Sequence, residues 1–412
     1  MDETPAKFPP ALPFADPTDV SLSPAGLDRL TAVMQREVDN RHVPGVSMLI
    51  ARGGKIAYRR DIGFLRPRGP ALPDNAVFRI YSMTKPIVSV ALMMLVEDGR
   101  LFINDPVAKF LPAFGETKVG VEKDAKLQLV PAERAMTVQD LLRHTSGLTY
   151  AFTGDSAVQQ LYKKARLFTG DPANADRFLE RDISDDEFYA ELAKLPLIAQ
   201  PGTAWNYGHS TDVLGRIVEL ISGERLGVVL HERILAPLGM RETAFFATED
   251  QQDRLAEPFA KDPDRGEPVQ LIDIGTAPCF ESGGGGLVST MDNYVRLLLM
   301  LYHGGTFGSA RILGRKTLAF MTSDHLGPNV RIPPTTLLPP GHRFGLGFAV
   351  RCEEGMAPTP GTPGEYFWGG VAGTAFWIAP REELIALMMI QAPRQRDYYR
   401  QLFRNLVHAS LA

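Results

Sequence analysis

At 412 residues, with 44% hydrophobic and 22% charged residues, the chain has the composition of a globular protein of two or three domains rather than a disordered or fibrous one. A net charge of -4 with no basic stripe argues against a nucleic-acid partner. No run approaches the roughly 20 apolar residues of a membrane span.

Taken in order, residues 1–7 are acidic and proline-bearing, with no basic n-region and no apolar h-region. No signal peptide is visible, so a cytoplasmic location is expected. Cys279 and Cys352 form no C-x-x-C pair and read as buried free thiols of a reducing compartment. Residues 1–22 read as an extended arm. Ser23-Pro24 supplies an N-cap and a proline at the first helical position, and Leu27, Leu30, Met34 and Val38 follow at helical spacing. Two apolar runs around Gly53-Gly54 predict a β-hairpin.

Ser82-Met83-Thr84-Lys85 then opens a long apolar helix over 87–96 that stops at Gly99. Pro86 is tolerated only in a first helical turn, which places Ser82 at the helix N-terminus. The i, i+3 spacing sets Ser82 and Lys85 on one face. A serine hydroxyl is a weak nucleophile until a base takes its proton, and a buried amine, its charged form disfavoured, can be that base.

Further on, residues 105–112 read as a short proline-bounded helix, followed by a polar stretch. Thr137 caps another helix that runs into His144-Thr145-Ser146-Gly147. His144 suits a chemical role or a loop-ordering hydrogen bond. No G-x-S-x-G elbow occurs in the chain, against the common α/β-hydrolase arrangement. The acidic run from Asp182 to Glu187 suits a helix N-terminus. Tyr207 precedes a helix closed by Gly223 and could shuttle a proton beside Ser82 and Lys85. Residues 250–280 read as a long polar excursion. The glycines 283–286 lack the Lys-Ser/Thr of a phosphate loop and signal backbone approaching a ligand or another backbone. Residues 344–350 read as one closely packed strand, and 374–390 as a second hairpin before a closing helix from Asp397 to Leu411.

Sheet elements at both ends and helices between them predict an α/β fold of α+β type: a mostly antiparallel sheet flanked by helices, interrupted by an inserted helical domain. The expected division is an arm at 1–22, a discontinuous α/β domain at 23–100 and 281–412, and a mainly helical insert at 101–280.

Six motifs in this order carry a resemblance: Ser82-Met83-Thr84-Lys85-Pro86-Ile87; Leu141-Leu142-Arg143-His144-Thr145-Ser146-Gly147-Leu148; Pro201-Gly202-Thr203 before Tyr207; Pro237-Leu238-Gly239-Met240; Ser282-Gly283-Gly284-Gly285-Gly286-Leu287; and Trp368-Gly369-Gly370-Val371. From about residue 23 to its end the chain resembles the serine β-lactamase and penicillin-binding-protein superfamily, and within it the class C-like, family VIII carboxylesterases. The resemblance implies Ser82 as acylated nucleophile, Lys85 and Tyr207 as proton-transfer groups, and the backbone N–H groups of Ser82 and Val371 as oxyanion hole. Tyr81, His144, Trp205, His209, Trp368, Gly369 and Gly370 are expected near the substrate. Two departures matter. The family's Tyr-x-Asn has His209 in third place, and Trp368 stands where lactamases carry a Lys or His. Without that cation an uncharged small-molecule ester fits better than a carboxylate-bearing penicillin or peptide. Transfer of the acyl group, slow β-lactam or D-Ala peptide cleavage, and a non-catalytic binding role are the alternatives. No cofactor or metal is implied: no H-E-x-x-H occurs.

Overall fold

The computed structural model describes residues 10–124, 126–165, 167, 184–333 and 337–412. Ser23 caps the helix Pro24–Asp39, its hydroxyl accepting from the Gly26 N–H at 3.2 Å. Leu27, Leu30, Met34 and Val38 are all buried by that helix. Strands β1 (Gly45–Arg52) and β2 (Lys55–Gly63) form the hairpin around Gly53-Gly54, both glycines at positive φ.

β1 pairs on its other side with a strand from the far end of the chain, Val46 lying opposite Ile390. Labelling strands in chain order, β3 (Val77–Arg79) pairs with β6 (Val288–Thr290), β4 (Lys118–Lys123) with β5 (Lys126–Pro131), and β7 (Thr306–Phe307) with β8 (Ala310–Arg311). The last five are β9 (His342–Phe344), β10 (Ala349–Arg351), β11 (Tyr366–Gly369), β12 (Ala375–Ala379) and β13 (Leu384–Ile390). The main sheet runs β2-β1-β13-β12-β11-β10-β9, antiparallel throughout. This is the helix-flanked antiparallel architecture that the motif order implies.

β13 is buried along its whole length, and its residues divide by the strand period of two. Leu384, Ala386, Met388 and Ile390 join Leu30 and Met34 and the closing helix Arg396–His408 through Phe403 and Val407. Ile385, Leu387 and Met389 face the helices Thr84–Glu97 and Met291–Tyr302. Each fully buried Leu or Met in these layers contributes about 2 kcal/mol.

Several local expectations change. The polar stretch, for which the sequence predicts no element, holds the hairpin β4–β5 at 118–131. Residues 344–350 do not make one strand. A turn at 345–348 joins β9 to β10, closed by the Gly345 N–H to the Phe348 carbonyl at 2.8 Å. Gly347, at φ 95°, lies so close to Ser89 that a Cβ would stand 2.4 Å from its Oγ. The segment 105–112 is not a helix but a short 3-10 turn, Val107–Lys109, with a second, Pro112–Glu116, beginning at its end. Both cysteines are free but exposed, not buried. The arm is partly anchored: Phe14 bridges Ile56, and a 3-10 turn spans Pro17–Val20. Residues 1–9 of the expected arm lie outside the described residues. So does Asp182 of the acidic run, whose remainder begins the helix Asp185–Lys194. Among the described residues, no helix is long and apolar enough to cross a membrane.

Thr137 caps the helix Val138–Leu142 in a capping box with Asp140. The Asp140 carboxylate is fully buried and accepts from Arg134, Arg143, Thr145 and Thr137. Burial alone would raise its pKa, but the hydrogen bonds from Arg134, the Thr137 backbone and Thr145 outweigh it and hold the carboxyl at about 2. A depressed folded pKa contributes stability above the unfolded value that is lost as pH falls toward 2. By that linkage Asp140→Asn is expected to cost about 2 kcal/mol at pH 7. The difference from wild type should shrink in urea melts repeated at pH 3. A constant difference at both pH values would refute the assignment.

Candidate active site

Ser82 lies in a 3-10 turn, Tyr81–Met83, that feeds the helix Thr84–Glu97, so Pro86 falls in the first helical turn. Tyr81 carries φ 43°, rare for a residue with a side chain. Its ring is buried away from the cleft, and its Oη accepts from the Ile272 N–H at 3.1 Å. Tyr81 is thus a structural anchor rather than the near-site residue expected.

The Ser82 Oγ accepts from the Tyr207 Oη at 2.7 Å and from the Lys85 Nζ at 3.3 Å. Lys85 is only 2% exposed. Its Nζ also donates to the Tyr150 Oη at 3.1 Å and the Gly284 carbonyl at 2.6 Å. These three acceptors match the three donors of an ammonium. The Nζ stands 4.6 Å from the Tyr207 ring centroid and 5.3 Å from that of Tyr150. Sequence reasoning suggests Tyr150 only as an aromatic wall of an apolar pocket and Gly284 only as closely approaching backbone; their contacts with the Lys85 amine are what it missed. Both sit in or beside quoted motifs, Tyr150 two residues after Leu148 and Gly284 inside the glycine run.

The glycine run does approach other parts of the chain. A Cβ at Gly283 would meet the Thr211 carbonyl at 2.6 Å, and one at Gly284 would meet the Tyr150 Oη at 2.8 Å. Asp212 supports this turn, accepting from the Ser282 Oγ at 2.6 Å and the Gly284 N–H at 3.0 Å. The His209 Nδ1 meets the other Asp212 oxygen at 3.0 Å. The His209 ring packs on the edge of Tyr150 with centroids 4.5 Å apart. His209 therefore lies a layer behind Ser82, bracing Tyr150 and Asp212.

Tyr207 is held by its neighbours in sequence. The Trp205 N–H donates to the Arg331 carbonyl at 2.9 Å, and the Asn206 N–H to the His144 carbonyl at 2.8 Å. Its ring lies 4.8 Å from His144, 5.3 Å from Trp368 and 6.0 Å from Trp205. His144 is buried, with φ 56°. Burial, reinforced by Lys85, pushes its pKa well below the usual histidine value. It is a neutral aromatic wedge whose backbone carbonyl orders the loop.

Trp368, Gly369, Gly370 and Val371 run off the end of β11 into a tight turn. The Gly370 N–H donates to the Thr374 carbonyl at 2.8 Å, and the Gly373 N–H to that of Gly370 at 3.1 Å. The turn docks on the peptide just before Tyr81-Ser82: a Cβ on Gly370 would stand 2.4 Å from the Ile80 carbonyl. Ser82, Tyr207 and residues 368–371 all line one cleft of about 410 Å³, with Phe152, Phe367 and Pro339 among its apolar walls. Trp205, His144 and His209 stand behind this lining. Among the described residues, no group of His, Cys, Asp or Glu could hold a metal ion.

The family model described as Beta-lactamase matches residues 30–409. Protein Rv1367c of Mycobacterium tuberculosis is 33% identical, the match covering 89% of this chain and 90% of the relative. Esterase EstB of Burkholderia gladioli is 30% identical over 88% of this chain and 90% of the relative. Among solved structures, EstCE1, described as a hydrolase with promiscuous acyltransferase activity, superposes with a TM-score of 0.74 at 26% identity. That match covers 93% of this chain and 99% of the other.

Proposed function

The chain belongs to the beta-lactamase family, and from that premise we propose that it is a serine carboxylesterase acting on uncharged esters of short to medium acyl chains. The observation that carries this reading is the Ser82 Oγ, 2.7 Å from the Tyr207 phenol and 3.3 Å from the Lys85 amine, in one cleft with the turn at 369–371. The esterase named among the relatives supports the reaction class.

In the proposed reaction Ser82 attacks the ester carbonyl and its proton passes to the network of Tyr207 and Lys85. Tyr207 is the nearer acceptor: as a phenolate, stabilised by an ammonium at Lys85 over its ring, it takes the Ser82 proton and becomes the phenol. The developing oxyanion is received by the backbone N–H groups of Ser82 and Val371. Tyr207 then returns the proton to the leaving alcohol, and water releases the acid. Trp368 stands in place of a cation, the three arginines that line the cleft each meet a carboxylate, Arg396 and Arg400 that of Asp397 and Arg404 that of Glu365, and apolar walls such as Phe152 suit an alkyl chain. The same acyl-enzyme can pass its acyl group to an alcohol, a second reading favoured by the description of EstCE1.

A fluorophosphonate probe is expected to label the folded protein at Ser82, located by peptide mass spectrometry, and not to label Ser82→Ala. Absence of label from the wild type would overturn the reading. Partition of p-nitrophenyl butyrate between acid and ester products with added alcohol then separates hydrolysis from transfer.

A further inference from the structure

The closing helix Arg396–His408 turns Arg396, Arg400 and Arg404 toward the cleft. Arg404 is engaged by Glu365, whose carboxylate is fully buried. Arg400 is engaged differently. Its Nη2 donates to the backbone carbonyls of Gly370 and of Thr374, the latter at 3.2 Å. The nearest carboxylate, that of Asp397, lies 3.7 Å from Nη1.

The Gly370 carbonyl and the Val371 N–H belong to one planar peptide unit. A cation donating to that oxygen draws electron density from the nitrogen and strengthens its N–H as a donor. It also fixes which way the peptide faces. Gly370 permits many backbone conformations, and besides Arg400 this oxygen accepts from the Gly373 N–H at 3.1 Å, so the guanidinium is the charged member of a two-point hold that keeps the N–H turned into the cleft. The guanidinium has room because residue 369 is glycine: a Cβ there would stand 2.6 Å from the Arg400 Nη2. Burial pulls the Arg400 pKa down to about 10, against the opposing pull of Asp397, so the group remains a cation at neutral pH.

We propose that Arg400 is a positioning residue for the oxyanion hole, acting through the Gly370-Val371 peptide to aim and strengthen the Val371 N–H. This rests on the reading of Ser82 and Val371 given above. It makes the C-terminal helix, on the far side of β11, a functional part of the site. It also separates the three cleft arginines, since only Arg400 donates to the carbonyl of the oxyanion peptide.

The test is steady-state hydrolysis of p-nitrophenyl butyrate, a neutral ester, by wild type, Arg400→Ala and Arg400→Lys. Arg400→Ala is expected to lower kcat about 30-fold with KM within about twofold, since removing a whole oxyanion donor costs roughly 100-fold or more. Arg400→Lys keeps the charge and most of the packing but not the fork, and is expected to lose about fivefold. Inhibition by n-butylboronic acid, whose serine adduct carries a tetrahedral oxyanion-like oxygen, should weaken by the same factor as kcat falls. Ethylguanidinium should restore much of the Arg400→Ala rate. A merely structural arginine would give neither the parallel loss nor the rescue. Wild-type kcat in both variants, or a rise in KM with kcat unchanged, would overturn the proposal. Fluorophosphonate labelling of the wild type keeps the two readings apart. Label at Ser82 with unaffected Arg400 variants refutes only the role of Arg400, whereas no label at Ser82 refutes the reading of the site and this role with it.

Discussion

Ser82→Ala will abolish hydrolysis of p-nitrophenyl butyrate, lowering kcat by about 10⁶-fold, the scale seen when an acylated nucleophile is removed. Among the described residues, the other hydroxyls at this site are the phenols of Tyr150, which accepts from the Lys85 Nζ at 3.1 Å, and Tyr207, which donates to the Ser82 Oγ at 2.7 Å. Ser146, the other serine the motifs single out, is fully buried and hydrogen-bonded to Ser210 at 2.8 Å. The assay is run on metal-free enzyme beside the wild type, with circular dichroism confirming equal folding. Equal rates in the two proteins would remove Ser82 from the mechanism and the acyl-enzyme with it.

Tyr207→Phe will lower kcat about 10³-fold while leaving KM nearly unchanged, as expected for loss of a positioned proton-transfer group. The substitution deletes one oxygen. The ring contacts with His144, Trp205 and Trp368 that hold the loop are retained, so the fold should survive. What remains beside the Ser82 Oγ is the Lys85 Nζ at 3.3 Å, whose other contacts are Tyr150 and Gly284. A residual kcat above about a tenth of wild type would identify Lys85 as the sufficient base and demote Tyr207 to a structural aromatic.

The sequence made some of this site legible because its chemistry is local. Ser82 and Lys85 share a helical turn, and Pro86 marks where that turn begins. Tyr207 and the glycines at 369 and 370 were legible only through the order of family motifs, because their meeting is tertiary. Tyr150 was not legible in its hydrogen-bonding role. An aromatic residue after a helix suits a core as well as a site, and only its contact with Lys85 distinguishes the two. Arg400 was hidden for a similar reason: arginines four residues apart on a terminal helix look like a solvated stripe. The β4–β5 hairpin escaped because its alternation has little core to face. Val121 is 42% exposed and Leu129 51%. Residues 344–350 misled in the opposite direction. Apolar residues alternating with glycines fit a strand, but the glycines were there to make a turn and to let Ser89 approach. Tyr81 followed the same logic, since its positive φ sends the ring away from the cleft its neighbour faces.

The pairing of β1 with β13 sets a condition on how this molecule comes into being. A ribosome delivers the hairpin β1–β2 and the helix after Ser82 early, but the turn at 369–371 and β13 much later. Throughout that interval one side of β1, an almost wholly buried apolar strand in the finished protein, has no partner. Such an edge invites pairing with other chains. Its contacts with β13 also close over most of the chain length, which makes their formation slow. The nascent chain therefore holds Ser82 and Lys85 before it holds the proposed oxyanion turn, and the strand that closes the sheet against β1 follows that turn in the chain.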